Sequence, residues 1–549
     1  MKNHLISVPV PACQPVRGYC LFLFTLSGLL WHSSATAAEC RLWQEQDAQR
    51  RDLRVGHITV ETGNIFDPDN PKENRWYNRA ANRLHVNTRA EVVQRHLLFR
   101  SGEAFDAARL RESERLLRAR HYLKEAVITP VQVCGGEVDI QVRTSDNWTL
   151  MPGLDAGHSG GETSGGIKIE EHNLLGWGKA LGFSYQQDSN RSETKLGYHD
   201  PGLFGTRHEL TFGLLNNSDG RGYLLDLELP FYAFDSREAW GLEVKALEQE
   251  VPFYEQGEVA RRIGEDKRSG KLFYGWSGGR QGDHTERYLL GWQYLQQSWF
   301  PTDTSAYAAP DIVQSYPWIG YEYVQDDFIT RENFRTMGRT EDIALGHRFT
   351  ISAGWLSRGL GSEGDYLKLD AAYSKGFMPG DRQLGLLELE GSTWIGTGQL
   401  SGGRLSARGE WNHFTDDRSG WHLAGVFRYA DNLLPGEQLV LGGDSGLRGY
   451  PTGFQGGDRS LLLSAERRFY FDWYPMRAAR IGAAVFADAG GAWGRGQPAE
   501  WLGDVGVGLR IVSTRSSTGK VLHVDIAKPL TATGDTDSYQ VLVGTQTEF

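Results

Sequence analysis

The sequence predicts a transmembrane antiparallel β-barrel of about 16 strands, preceded by one small α/β domain of order β-α-α-β-β. Three observations predict it. The chain opens on a secretory-type segment, no later stretch has the length and apolarity of a membrane helix, and most of the chain alternates with period two and ends its apolar runs on aromatic residues.

In residues 1–38, Lys2 and Arg17 precede an apolar run from Leu21 to Trp31, and Ala35-Thr36-Ala37 supplies a small-residue cleavage site. Glu39 stands before Cys40 where a lipoprotein signal wants a small residue. Downstream, nothing reaches the 18 or so consecutive apolar residues of a spanning helix. An integral protein without such a helix must cross as a closed barrel, because only closure pairs every backbone group in lipid. The composition agrees: 68 Gly, 17 Trp, 22 Tyr and 24 Phe sit in a chain only 40% hydrophobic, and barrel strands turn only every second side chain to lipid. A net charge of −11 disfavours a nucleic-acid partner.

Of four cysteines, Cys13 and Cys20 fall in the secretory segment. Cys40 and Cys134 remain, and an oxidising compartment favours a disulfide between them. Two cysteines without a histidine cluster do not make a metal site.

After a linker at 39–52, residues 53–145 read as one unit. Val55-Gly56-His57-Ile58-Thr59-Val60-Glu61 alternates as a strand. Residues 64–87, rich in Asn, Asp and Pro, read as a long loop. Thr88-Arg89-Ala90-Glu91 has capping-box spacing and opens a helix carrying Val92, Val93, His96, Leu97 and Leu98, which Ser101-Gly102 ends. A second helix starts near Asp106 with Leu110, Leu116 and Leu117 on one face. Strands at 126–133 and 138–142 follow, joined by Gly135-Gly136.

Residues 146–549 alternate repeatedly. Tyr288, Leu290, Trp292 and Tyr294 oppose Arg287 and Gln293; Trp421, Leu423, Phe427 and Tyr429 oppose His422 and Arg428. Val507, Leu509 and Ile511 oppose Gly506, Gly508 and Arg510, while Leu522, Val524 and Ile526 oppose His523, Asp525 and Ala527. A soluble sandwich alternates too; many such segments behind a secretory signal favour the barrel. At roughly 25 residues per strand with its connection, the span predicts about 16 strands. Long external loops are expected near 254–270, 303–346 and 431–459, and a last strand at 539–549 ending on Phe549.

Two segments offer opposite charges that can meet inside such a wall. Gly446-Leu447-Arg448-Gly449-Tyr450 is a glycine-flanked arginine in a loop, and Phe486-Ala487-Asp488-Ala489-Gly490 is a short alternating strand. Phe486, Asp488 and Gly490 share one strand face, while Val485, Ala487 and Ala489, small and apolar, share the other. With Asn173-Leu174-Leu175-Gly176-Trp177-Gly178 and Asp200-Pro201-Gly202-Leu203-Phe204-Gly205, these segments resemble the BamA/TamA-like outer-membrane assembly and secretion superfamily, and the unit at 53–145 resembles its polypeptide-transport-associated (POTRA) domain. The chain presents one such domain where better-known members carry several.

The resemblance implies that the Arg448 segment is the tip of a loop folded into the lumen, and that Arg448 meets Asp488, with Gly449, Tyr450, Phe486 and Gly490 around them. A guanidinium can fork onto a carboxylate and fix both position and angle. It further implies a bacterial outer-membrane barrel that inserts or translocates polypeptides, with the POTRA domain in the periplasm offering a sheet edge, for which Val138 to Val142 is one candidate, to an extended client. Implied partners are unfolded outer-membrane or secreted polypeptides, membrane lipids, and periplasmic chaperones or accessory proteins. No cofactor, metal or catalytic residue is expected. A dedicated two-partner secretion pore and a passive porin-like channel are the alternatives.

Three enzyme-like or metal-like patterns have plainer readings. Gly443-Asp444-Ser445-Gly446 resembles a protease nucleophile segment, but a nucleophile needs a base and an orienting carboxylate beside it. His158 and Ser159, adjacent on a strand, point to opposite faces. Asp67-Pro68-Asp69-Asn70 lacks the spacing and terminal Glu of a calcium loop.

Overall fold

Alternation over the long C-terminal span closes a β-barrel of 20 antiparallel strands, running from Leu150–Ser159 to Gln540–Gln546. The computed structural model describes residues 40–50, 52–307, 309–397, 400–531 and 538–546. The expected secretory segment and Phe549 lie outside them.

The count of 20 corrects the expected 16. The estimate allowed generous connections, whereas many turns here are two residues long. The strands Glu238–Glu255 and Glu258–Gln281 join through Gln256 and Gly257, so residues 254–270, expected as a loop, are an extended hairpin. The expected loop at 303–346 contains the barrel strand Ile312–Gln325 and a separate hairpin, Phe328–Glu332 with Thr340–Ala344. The third, 431–458, is a true long connection between Ser419–Ala430 and Arg459–Tyr470.

Alternation sorts the wall into two faces. Tyr288, Leu290, Trp292 and Tyr294 are exposed on the outside, while Arg287 is buried inside, 2.9 Å from Glu322. Trp421 and Leu423 face out, and His422 faces in, with its Nδ1 2.9 Å from Asn412 Oδ1. No described helix is long and apolar enough to span a membrane. Closure is weakest where the chain ends meet: the first and last strands pair in register at Val543 and His158 alone among the described residues.

The N-terminal α/β unit comprises β1 (Cys40–Leu42), β2 (Arg54–Gly63), α1 (Trp76–Leu84), α2 (Ala90–Arg95), α3 (Ala107–Arg118), β3 (Leu123–Cys134) and β4 (Glu137–Asp146). Its sheet order is β1-β3-β4-β2, with β2 parallel to β4. Leu53, Val55, Val93, Leu117, Leu123 and Ile140 form its core. The Asp106 side chain caps α3 by accepting from Ala108 N at 2.8 Å.

Four expectations change here. The presumed linker supplies β1, and Cys40 is bonded to Cys134 on β3. The presumed loop at 64–87 holds α1, whose Ala80, Ala81, Arg83 and Leu84 are good helix formers; the Asn- and Pro-rich residues before it obscured them. Thr88 does not cap α2, since its hydroxyl accepts from Asn173 Nδ2 at 2.8 Å. Val138 to Val142 lies in β4, an inner strand paired on both sides, so it is not a free edge; the outer strands are β2 and the three-residue β1.

The unit caps one end of the barrel. On α3, Glu112, Arg115 and Arg118 form ion pairs with Arg280, Asp326 and Asp342 at 2.7, 2.9 and 2.7 Å. His96 Nε2 lies 3.1 Å from the Tyr122 hydroxyl. Burial, helped by Arg120, Arg207 and Arg95, holds its imidazole well below the usual histidine value.

Two outcomes follow for the full chain, read as the urea midpoint for proteolysis within residues 40–146. Replacing Cys40 and Cys134 by Ser lowers stability by about 2–5 kcal/mol, because the bond closes a long loop in the unfolded chain, and leaves the barrel's heat-modifiable migration intact. His96 has its lowered value in the folded state only. The stability it confers is therefore complete above about pH 6.5 and falls with pH below that, by up to about 1.4 kcal/mol per unit; His96→Gln removes this slope.

Candidate functional site

Residues 431–458 fold into the barrel lumen. Leu439–Leu441 pairs with Gln455–Gly457 as a short hairpin, and between them the chain makes a tight knot. Gly443 N donates to Tyr450 O at 2.9 Å, Gly442 N to Gly446 O at 2.8 Å, and Tyr450 N to Leu447 O at 3.0 Å. Gly442, Gly443 and Gly446 all have positive φ, which glycine permits at little cost. Thr452 N donates to Gly160 O at 3.1 Å, tying the knot to the turn after the first barrel strand.

This knot presents Arg448 to the wall. Its Nε donates to Asp488 Oδ2 at 2.7 Å and its Nη2 to Asp488 Oδ1 at 3.0 Å, a forked pair. Nη1 donates to Glu466 Oε1 at 2.7 Å and to Asp525 Oδ2 at 3.4 Å. The guanidinium carbon lies 3.4 Å from the Phe486 ring centroid, so the ring covers one face of the cation. Ser464 Oγ donates to Asp488 Oδ1 at 2.7 Å.

Neighbouring strands extend the network. Arg468 Nε donates to Glu466 Oε2 at 3.0 Å. Arg510, whose side chain is fully buried, pairs with Asp525 and lies 3.7 Å from Glu466. Three guanidiniums thus interleave with three carboxylates, Arg448 from the inward loop and the rest from Arg459–Tyr470, Ala479–Trp493, Leu502–Ser513 and Val521–Pro529. Alternating sign lets each buried charge face an opposite one, the condition for burying charge at tolerable cost.

The other expected residues gather here too. Gly449 N donates to Asp504 Oδ2 at 3.0 Å, and a Cβ on Gly449 would lie 2.6 Å from Asp504 Cβ. Tyr450, fully buried, donates from its hydroxyl to Gly503 O at 3.0 Å. It packs with Leu441, Leu447 and Leu502, while Phe454, not Phe486, is its aromatic neighbour, with centroids 5.2 Å apart. A Cβ on Gly490 would lie 2.5 Å from Leu461 O, so the strands touch closely there.

Glu466, Asp525, Arg510, Ser464, Arg468 and Asp504 were not singled out in the sequence. Their signal was present for two: Arg510 and Asp525 stand on the strand faces opposite apolar rows, which places them inward. Inward charges on strands flanking the Asp488 strand are where partners for a lumenal arginine must lie.

The enzyme-like pattern comes apart. Ser445 Oγ donates to Gly442 O at 2.8 Å, within its own turn. His158 Nδ1 lies 2.8 Å from Thr163 Oγ1. Asp67 Oδ1 accepts from Asp69 N at 2.9 Å, ordinary turn chemistry.

The two remaining motifs join barrel to α/β unit. Gly178 N donates to Asn173 Oδ1 at 2.7 Å, and Arg89 N donates to Gly176 O at 3.1 Å. Gly202 N donates to Asp200 Oδ1 at 3.1 Å, and Arg95 Nη1 to Gly202 O at 3.3 Å.

Residues 173–549 match the sequence model of the Omp85 superfamily domain. No curated relative matches the chain. Among solved structures it is similar to BamA from Haemophilus ducreyi lacking POTRA domains 1–3, at 13% identity over 93% of this chain and 90% of that one, with a TM-score of 0.40. It is also similar to CdiB from Acinetobacter baumannii (15% identity, 90% and 73% covered, TM-score 0.43) and to CdiB from Escherichia coli (13%, 92% and 80%, TM-score 0.46).

Arg448→Ala leaves buried Asp488 and Glu466 short of a counter-charge, a penalty of about 3–5 kcal/mol borne mainly by the loop. Limited proteolysis of the folded barrel will show cleavage within residues 431–458 in the variant and protection in the parent. Arg448→Lys restores charge without the fork and gives intermediate protection.

Proposed function

The chain belongs to the Omp85 superfamily and is thus a bacterial outer-membrane β-barrel of the class that inserts or translocates polypeptides, and from that premise we propose that it inserts client polypeptides into the outer membrane, with Arg448 as a conformational lock on its inward loop. The carrying observation is the Arg448 network. A loop that merely narrowed a pore would not need a forked, ring-covered arginine shared among three strands.

In this reading the α/β unit is a periplasmic POTRA domain. Its outer strand β2 offers backbone groups to an extended client, which adds as a further strand. The weak pairing between Leu150–Ser159 and Gln540–Gln546 is the seam at which a client strand enters the wall, because few bonds must break there. Asp488, Glu466 and Asp525 keep the loop set while the seam changes. No step calls for a cofactor or a catalytic group.

One observation favours a second reading, export of a dedicated secreted partner through the lumen. Opposite the lock, between Leu433 to Leu439 of the inward loop and the wall, lies a cavity of about 930 Å³ lined by Lys271, Glu322, Asp370, Glu390, Arg404 and Arg428. Such a space, where charges of both signs alternate with apolar groups such as Trp318 and Leu433, suits an extended polypeptide.

Arg448→Ala will give a barrel that still assembles and migrates heat-modifiably but loses at least about tenfold in client insertion, roughly 1.4 kcal/mol or more of coupling. Unchanged client levels in that strain contradict the lock. The outer-membrane and secreted proteomes after deletion separate the readings: loss of many barrels means insertion, and loss of one secreted protein means dedicated export.

A further inference from the structure

Helix α1 is built inside out for a surface helix. Asn78, on its inner face, is buried, with its Nδ2 donating to Glu73 O at 2.7 Å. Asn82 is tied to Phe66 through N–H···Oδ1 at 3.1 Å and Nδ2–H···O at 2.8 Å. The outer face carries two adjacent stripes of four-residue spacing: Trp76, Ala80 and Leu84, and Arg75, Arg79 and Arg83. All six are exposed, Trp76 at 74% and Leu84 at 78%. No acidic residue occurs from Arg75 to Val86. Polar residues that anchor and apolar residues that protrude are the reverse of what a helix packed on a core requires.

The helix sits on the barrel rim across the seam. On one side, Arg515, in the turn between Leu502–Ser513 and Val521–Pro529, donates to Ile65 O at 2.6 Å and Glu73 Oε1 at 2.5 Å. On the other, His85 Nε2 meets Asp146 Oδ2 at 2.8 Å, and Arg89 lies over the Trp177 ring at 4.2 Å. Trp177 belongs to the turn between Glu162–Glu171 and Ala180–Gln187. The first and last barrel strands run between these two turns. The rim adds exposed apolar groups: Leu175 and Phe204 project outward from left-handed backbone, φ 53° and 52°, which bulky residues rarely adopt.

We propose that α1 is an interfacial membrane helix. It lies on the phospholipid headgroups beside the seam, with Trp76 and Leu84 at the acyl boundary and Arg75, Arg79 and Arg83 on lipid phosphates. Arginine stripes match phosphodiester oxygens, and tryptophan and leucine match the headgroup–acyl boundary. Continuity with the lipid-facing rim selects a bilayer over a soluble acidic partner. The inference rests on the periplasmic placement of the α/β unit, not on the Arg448 lock. Its consequence is a bilayer disturbed where the wall opens.

The test uses the full chain with Cys13 and Cys20 replaced by Ser, and an environment-sensitive fluorophore on Leu84→Cys or, as control, on the exposed turn residue Gln256→Cys. The protein is placed in nanodiscs of phosphatidylethanolamine and phosphatidylglycerol. The Leu84 label will be quenched by lipids brominated near the headgroup, and iodide will reach it at least about threefold less than it reaches the control. Arg75→Glu, Arg79→Glu and Arg83→Glu together will cut bromine quenching about threefold, and added salt will weaken it as well. Heat-modifiable migration and protection of residues 431–458 confirm that each variant is folded. A Leu84 label as open to iodide as the control overturns the proposal. So does one shielded from both quenchers, which would mean a protein contact.

Discussion

Burying Arg448 inside the wall sets terms for much of the structure. A lumenal guanidinium needs carboxylates, and each carboxylate must stand on the inward face of a strand at the right height. Asp488, Glu466 and Asp525 meet that condition from three strands, and Arg468 and Arg510 balance their excess. Small residues clear the space. Gly508 lies where any side chain would collide with the Arg510–Asp525 pair, and Gly506 leaves room for the Phe486 ring. Register across four strands, the fold of a long loop and the placement of glycine thus answer to one cation.

The same knot links distant parts of the barrel. Through Thr452 it reaches the turn after the first strand, and through Tyr450 it reaches Gly503 and Thr531 near the last. The lock therefore touches both sides of the seam without lying in it. The α/β unit approaches the seam from the other end, through Arg515 and Asn173. Two elements remote in sequence thus bracket the place where the wall is least bonded, which is why the insertion reading places function there.

Much of this was legible from period two. Alternation told which of Phe486, Ala487 and Asp488 face inward, and it put Arg510 and Asp525 on inward faces opposite apolar rows. Strand number was not legible, because alternation does not mark where a strand ends, and the Glu258–Gln281 strand runs far past any single membrane crossing. Helix α1 was missed because its neighbours are Asn and Pro, and because its apolar residues do not face a core. The edge strand was misjudged since β2 and β4 pair in parallel, a long-range choice that no local pattern records. Asp504 and Ser464 carry no local signal; only the closed wall brings them to Gly449 and Asp488.

The most direct test of the lock is amide hydrogen exchange on the parent protein in a bilayer. If the Arg448 network holds the loop, amides of Gly443, Gly449 and Tyr450 will exchange as slowly as those of the strand Ala479–Trp493. Exchange as fast as at the exposed turn of Gly282 and Asp283 would mean that the loop is not held, and would contradict the lock.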